Sequence, residues 1–205
     1  LVVRASERAK PMVIADVWDN PGGGVAGDST ILLQEALNQN LGGVALGTIW
    51  DPMAVRLCFA AGEGAELDLR FGGKTSAHAG APIDAKVTVT RLQRDAVQSF
   101  GTSVVPLGDC AVIRIGDLDI VLNTNRSQTF SPDLFTNLGI DIAKKRIVIV
   151  KSTNHFHGAF APVAGEILYA AVDGPYPNNP VHTDYTHLTR ALWPRVDAPH
   201  SEECA

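Results

Sequence analysis

The chain of 205 residues is 45% hydrophobic and 19% charged, a balance that fits one soluble globular core and excludes a low-complexity or fibrous protein. A formal net charge of −5, with no basic stripe or arginine cluster, argues against nucleic acid and anionic membrane as partners, and no apolar run reaches membrane-spanning length. Cys58, Cys110 and Cys204 are far apart and form no Cys-x-x-Cys pair, so neither a disulfide framework nor a cysteine zinc site is expected, and a reducing, cytoplasmic setting is.

In chain order, residues 1–11 read as a linker that stops at Pro11, and Met12 to Val17 as a short apolar strand. Asp19-Asn20-Pro21-Gly22-Gly23-Gly24 then opens a glycine loop that ends in Asp28-Ser29-Thr30, side chains able to cap a helix. Ile31 to Leu41 has helical periodicity and stops at Gly42-Gly43, and Val44 to Trp50 is a second strand. Asp51-Pro52 starts the next helix well, since Asp51 can cap and proline is tolerated at the first helical position. That helix runs to Ala61, and Ala65 to Phe71 alternates as a third strand. Three strands joined by two helices at short spacing predict a βαβαβ unit with parallel neighbours.

From Gly72 the texture changes to a turn-rich loop, followed by an alternating strand from Ile83 to Leu92. Ala111 to Ile115, Gly116-Asp117 and Leu118 to Asn123 read as a hairpin. Asp133 to Leu138 is a short helix, and Arg146 to Val150 is a strand rich enough in β-branched residues to be buried on both faces. Phe156 to Ala164 is a helix candidate and Ile167 to Val172 a last strand, with Pro175 to Ala205 an extended tail. The fold class expected is α/β (or α+β), a βαβαβ unit followed by a mixed sheet with antiparallel hairpins, the domain spanning 12–174 and the tail 175–205.

Two stretches can carry chemistry. The glycine loop lacks the lysine of a phosphate-binding loop, and its bare Gly-x-Gly-x-x-Gly spacing lacks the acidic partner of a dinucleotide site. It is either a backbone N–H site for an anion or carbonyl, aided by Asp19 and Asn20, or a tight strand-to-helix connection. The second stretch, Lys151-Ser152-Thr153-Asn154-His155-Phe156-His157, follows a buried strand, where ligands of α/β sheets bind. Lys151 can neutralise an oxyanion, and His155 can donate a hydrogen bond or move a proton. Alternatively, Lys151 pairs with a carboxylate and His155 caps a helix. His182, Asp184 and His187 have a spacing that can bind zinc but sit in a polar tail. His78 lies in a loop of small residues, and Arg126 and Gln128 either reach a substrate or face water.

Read together, Asp19-Asn20-Pro21-Gly22-Gly23-Gly24 with Gly27-Asp28-Ser29, then Trp50-Asp51-Pro52, then Arg146 to Ser152 with His155-Phe156 and Phe160, resemble the C-terminal domain of the MlrC (microcystinase C) family. Leu192-Trp193-Pro194 is similar to the closing segment of that family. The resemblance implies a metal-dependent hydrolase of amide or peptide bonds, acting on a small peptide or amide. It also implies zinc on a larger N-terminal domain of the same protein, with no metal ligand in this chain, and a homo-oligomer is one further expectation. On that basis Lys151 and His155 are the expected catalytic residues, and Asp19, Asn20, Gly22, Gly23, Gly24, Asp28 and Ser152 the expected substrate-binding ones. Many relatives carry arginine where this chain has His157. Alone, the chain is expected to be inactive; the alternatives are a non-catalytic anion- or phosphate-binding module and a structural or dimerisation domain.

Overall fold

The structure, a computed structural model, describes residues 10–172, 179 and 181–200. The chain divides into two units, Leu1–Asp173 and Gly174–Ala205. Among the described residues the second unit contains turns and bends but no helix or strand.

The first unit is built on a single eight-stranded sheet. Its strands are β1 (Met12–Asp16), β2 (Val44–Trp50), β3 (Glu66–Phe71), β4 (Ile83–Phe100), β5 (Ser103–Ile115), β6 (Leu118–Asn123), β7 (Ile147–Val150) and β8 (Glu166–Ala170). They lie in the order β3-β4-β5-β6-β2-β7-β1-β8. From β6 to β8 every neighbour is parallel, and from β3 to β6 every neighbour is antiparallel. The helices are α1 (Ile31–Asn38), α2 (Pro52–Ala61), α3 (Asp133–Thr136) and α4 (His157–Phe160). Among the described residues no helix is long and apolar enough to cross a membrane.

The mixed α/β-or-α+β class is what the sequence predicts, but the opening strands do not neighbour one another. β7 lies between β1 and β2, and β3 is an antiparallel edge strand. The burial patterns give the reason. β7 is buried at every residue and so belongs in the middle of a parallel sheet, whereas β3 alternates exposed and buried side chains, as an edge strand with one solvated face does. β4 also runs well beyond the expected Ile83 to Leu92 strand, to a turn at Gly101-Thr102, and pairs there with a β5 that begins before the expected Ala111.

Side chains of the parallel strands alternate between two cores. Met12, Ile147 and Ile149 pack with α1 and α2 on one face; Val13, Ala15, Val148 and Val150 pack with Phe135, Phe156 and Phe160 on the other. Gly47 of β2 tolerates no side chain on the second face, because a Cβ there would stand 2.8 Å from Leu134 Cδ2. The carboxyl ends of the five parallel strands emerge along one edge of a sheet packed on both faces.

Candidate functional site

The register of β1 on β7 builds the first part of the site. Met12 pairs with Ile147 and Ala15 with Val150, so one step further Asp16 stands opposite Lys151, both on the face covered by α1. Lys151 Nζ meets Asp16 Oδ2 at 2.9 Å, Asp19 Oδ2 at 3.0 Å and the Ser29 carbonyl at 2.7 Å, and its side chain is wholly buried. Burial alone would push this ammonium towards neutrality, but Asp16 and then Asp19 outweigh it and hold its pKa above the ordinary lysine value. Three acceptors saturate three N–H donors, which leaves none for an oxyanion. Of the two sequence readings of Lys151, pairing with carboxylates is the one this geometry carries.

Asp19 ties the glycine loop to the same knot. Its Oδ1 accepts from the Gly27 amide at 3.0 Å and its Oδ2 from the Ser29 amide at 2.6 Å. Asn20 caps the short 3-10 turn Pro21–Gly23, its Oδ1 accepting from the Gly22 amide at 2.9 Å. The Gly23 and Gly24 amides donate to the carbonyls of Asn20 and Pro21. These amides are thus satisfied within the loop, and they do not form an open row of donors such as an anion cradle needs. Gly23 and Gly24 lie at the surface, and the φ of +97° at Gly24 explains glycine there.

Asp28 points elsewhere. Almost wholly buried, it accepts from the Lys74 amide at 2.7 Å, the Thr75 amide at 3.0 Å and the Thr75 hydroxyl at 2.5 Å. Of the three expected caps, Asp28 clasps the 72–75 loop instead, Thr30 makes no side-chain cap and donates to the Ala81 carbonyl, and Ser29 Oγ accepts from the Ile31 amide at 3.4 Å. Asp51 does cap α2, accepting from the Ala54 amide at 3.1 Å, and also holds the Gly72 amide and Lys74 Nζ.

The second part of the site lies on the other face, at the rim. Asn20 Nδ2 donates to Thr153 Oγ1 at 2.8 Å, so the two motif stretches, far apart in sequence, join in space. Ser152, wholly buried, donates from Oγ to Gln128 Oε1 at 3.1 Å. His155 is exposed, with Nδ1 3.2 Å from the same Gln128 oxygen and its ring against Phe100 and Phe130, at centroid distances of 5.3 and 5.9 Å. The 127–130 loop that carries Gln128 is fixed from two sides. Buried Gln98 donates to the Gln128 carbonyl at 2.7 Å and accepts from the Phe130 amide at 2.9 Å. Thr129 exchanges backbone and side-chain hydrogen bonds with Lys151, and its hydroxyl reaches the Gly47 carbonyl.

Sequence reasoning missed Asp16, Thr129 and Gln98. Asp16 did leave a signal, since two apolar parallel strands that each end in a charge of opposite sign can pair them; Gln98, one polar residue in an alternating strand, left none. Arg126 lies over the Trp50 ring, 4.5 Å from its centroid, and His78 sits exposed in the turn Ala77–Ala79. His182, Asp184 and His187 belong to the second unit. Among the described residues no three His, Cys, Asp or Glu side chains are grouped to hold a metal ion. The closest carboxylates at the strand ends, Asp16 and Asp19, are already matched to Lys151, so these two, among the described residues, do not fit a divalent cation.

A family model described as MlrC C-terminus matches residues 14–187, the segment that contains both motif stretches and the sheet between them. The chain belongs to the MlrC C-terminal family. It is 37% identical to Microcystinase C of Sphingomonas sp over 186 residues, which is 91% of this chain and 36% of that relative. The fold is similar to the crystal structure of a protein named "Putative metallopeptidase" from Mesorhizobium sp. BNC1, with a TM-score of 0.77 and 25% identity, over 85% of this chain and 35% of that one. The chain thus spans little more than a third of either protein.

Proposed function

We propose that this chain is the C-terminal part of a metal-dependent hydrolase of amide or peptide bonds. In this reading its glycine loop and its 151–157 segment line a cleft completed by a metal-binding N-terminal domain of the same protein. The observation that carries it is the joining of the two family motif stretches, through Asn20 and Thr153, at the exposed carboxyl edge of the parallel strands. The names of both relatives, each much longer than this chain, support the reaction class.

The residues divide the work. His155, exposed at the rim, is the group that meets the substrate and handles a proton beside the scissile amide. Asn20 and Gly22 to Gly24 form the adjoining wall, while Lys151, Asp19, Asp28 and Ser152 hold that wall from beneath. The metal, zinc in this reading, and its ligands belong to the N-terminal domain. The setting is cytoplasmic, in keeping with the free thiols of Cys58 and Cys110, both buried.

The satisfied amides of the glycine loop give the anion-module alternative no comparable support. The test is to assay small peptides and amides with the 205-residue chain alone and with the same chain joined to the domain that precedes the matched segment in Microcystinase C. Hydrolysis that needs both the longer protein and a metal is expected. Metal-dependent hydrolysis by the isolated chain would overturn the division of labour, and an inactive longer protein would overturn the enzyme reading.

A further inference from the structure

The rim carries a constraint on the ring of His155 that the proposed function does not require. Gln128 Oε1 is an acceptor only, and two groups converge on it: Ser152 Oγ at 3.1 Å from the buried side and His155 Nδ1 at 3.2 Å from the exposed side. The amide nitrogen turns the other way, towards the glycine loop. A Cβ built on Gly22 would stand 2.2 Å from Gln128 Nε2, so the space that seats this amide exists because residue 22 is glycine. The peptide that follows Gln128 is itself held at both its polar groups, by Gln98 at the Gln128 carbonyl and by the Lys151 carbonyl at the Thr129 amide.

A neutral imidazole facing a carbonyl-type oxygen through Nδ1 must carry its proton there, and its other nitrogen is then bare. We infer that Gln128 is a positioning residue that holds His155 as its Nδ1–H tautomer, with the Nε2 lone pair presented on the exposed side. A ring held in this way accepts a hydrogen bond or a proton; it does not donate from Nε2 while neutral. Phe100 and Phe130 pack against the ring and limit its rotation. Free imidazole side chains favour the opposite tautomer, so the inference predicts a reversal of the default. Its value for catalysis rests on the function proposed above; the tautomer itself does not.

The test is nitrogen-detected NMR of the His155 ring in the full chain, at a pH where the ring is neutral. The native chain should show Nδ1 protonated and Nε2 bare. Gln128→Leu should return the ring to a mainly Nε2–H population, and Gly22→Ala should do the same by displacing the amide without altering either partner. Gln128→Glu, which keeps an acceptor oxygen in place, should retain the Nδ1–H form. A native ring protonated at Nε2 would overturn the inference, as would a folded Gln128→Leu chain whose ring still carries its proton on Nδ1. If Gln128→Leu fails to fold, the native spectrum and the Gly22→Ala and Gln128→Glu variants still decide it. An inactive longer protein with the Nδ1–H ring intact would remove the proposed function and leave this inference standing.

Discussion

One short stretch, Lys151 to His155, feeds two environments that could hardly differ more. Lys151 lies in a wholly buried knot with Asp16 and Asp19, where charges are matched at 2.9 and 3.0 Å. His155, four positions on, is exposed, and its hydrogen-bonding partner among the described residues is Gln128. The knot closes the ends of β1 and β7 and anchors the start of α1 through the Ser29 carbonyl. Residues adjacent in a family motif therefore need not share a role, and burial separates the group that can touch a substrate from the group that cannot.

The knot can be broken directly. Lys151→Met leaves two carboxylates uncompensated in the interior, and the expected loss is about 3–5 kcal/mol. For a unit of this size that is a fall in Tm of roughly 10 °C or more. The Lys151→Met, Asp16→Asn, Asp19→Asn triple variant should recover part of the loss, since it removes the unpaired charges as well. The sign of the pH dependence follows from the raised lysine pKa. Its contribution is complete below the unfolded value of about 10.4 and is lost only as pH rises through the higher folded value. Neutral and mildly alkaline buffers should therefore show no Lys151-dependent change. A Lys151→Met chain within about 1 kcal/mol of the native one in urea unfolding would show that the knot is not structural.

Next in size is the clasp beside the knot. Asp28→Ala strands the amides of Lys74 and Thr75, and an expected cost of about 1–3 kcal/mol follows from leaving such donors unpaired. Hydrogen exchange should localise the change to the 72–75 loop and leave the rim unaffected. Exchange that rises at 151–157 instead would mean that Asp28 supports the candidate site rather than its neighbour.

The opposite end of the parallel strands offers a second ion cluster for comparison. At Asp119, burial works against the carboxylate, but hydrogen bonds from Arg114 and Lys145 prevail and hold its pKa below the ordinary value. A depressed folded pKa adds stability above the unfolded value of about 3.9, and that stability is lost as pH falls through the folded value. Asp119→Asn should thus lose less stability than the native chain on acidification below about pH 4. Acid unfolding curves of equal steepness would place the native acid sensitivity elsewhere.

The sequence made the strands legible because the parallel ones are nearly pure apolar runs, and it made the glycine loop legible because glycine and proline punctuate it. Sheet order was not legible, since nothing local shows that β7 inserts between β1 and β2. That outcome depends on which strands must be buried on both faces, a property of the whole set. Lys151 was found but its direction was not, because direction follows from the period of β7 carried one residue past its end. From sequence, Gln128 either reaches a substrate or faces water, with nothing to choose between them. Its importance comes from contacts with Ser152, His155 and the bare backbone of Gly22, none of them near it in sequence.

The smallest expected effect on the fold is also the sharpest test of the rim. His155 is exposed, its one hydrogen-bonding contact among the described residues is the Gln128 amide, and the rings beside it, Phe100 and Phe130, also pack on each other at 4.5 Å. His155→Ala should leave stability within about 0.5 kcal/mol, as surface substitutions do. In the longer protein the same change should lower kcat by roughly 10²–10⁴-fold, the range for loss of a positioned acid or base. Lys151→Met predicts the reverse pattern, a large loss of stability with no specific effect on kcat in whatever fraction stays folded. The pair of measurements separates the two environments without assuming either role. If His155→Ala unfolds the chain, the rim is architecture like the knot; if kcat is unchanged in a stable variant, the substrate is met by other residues.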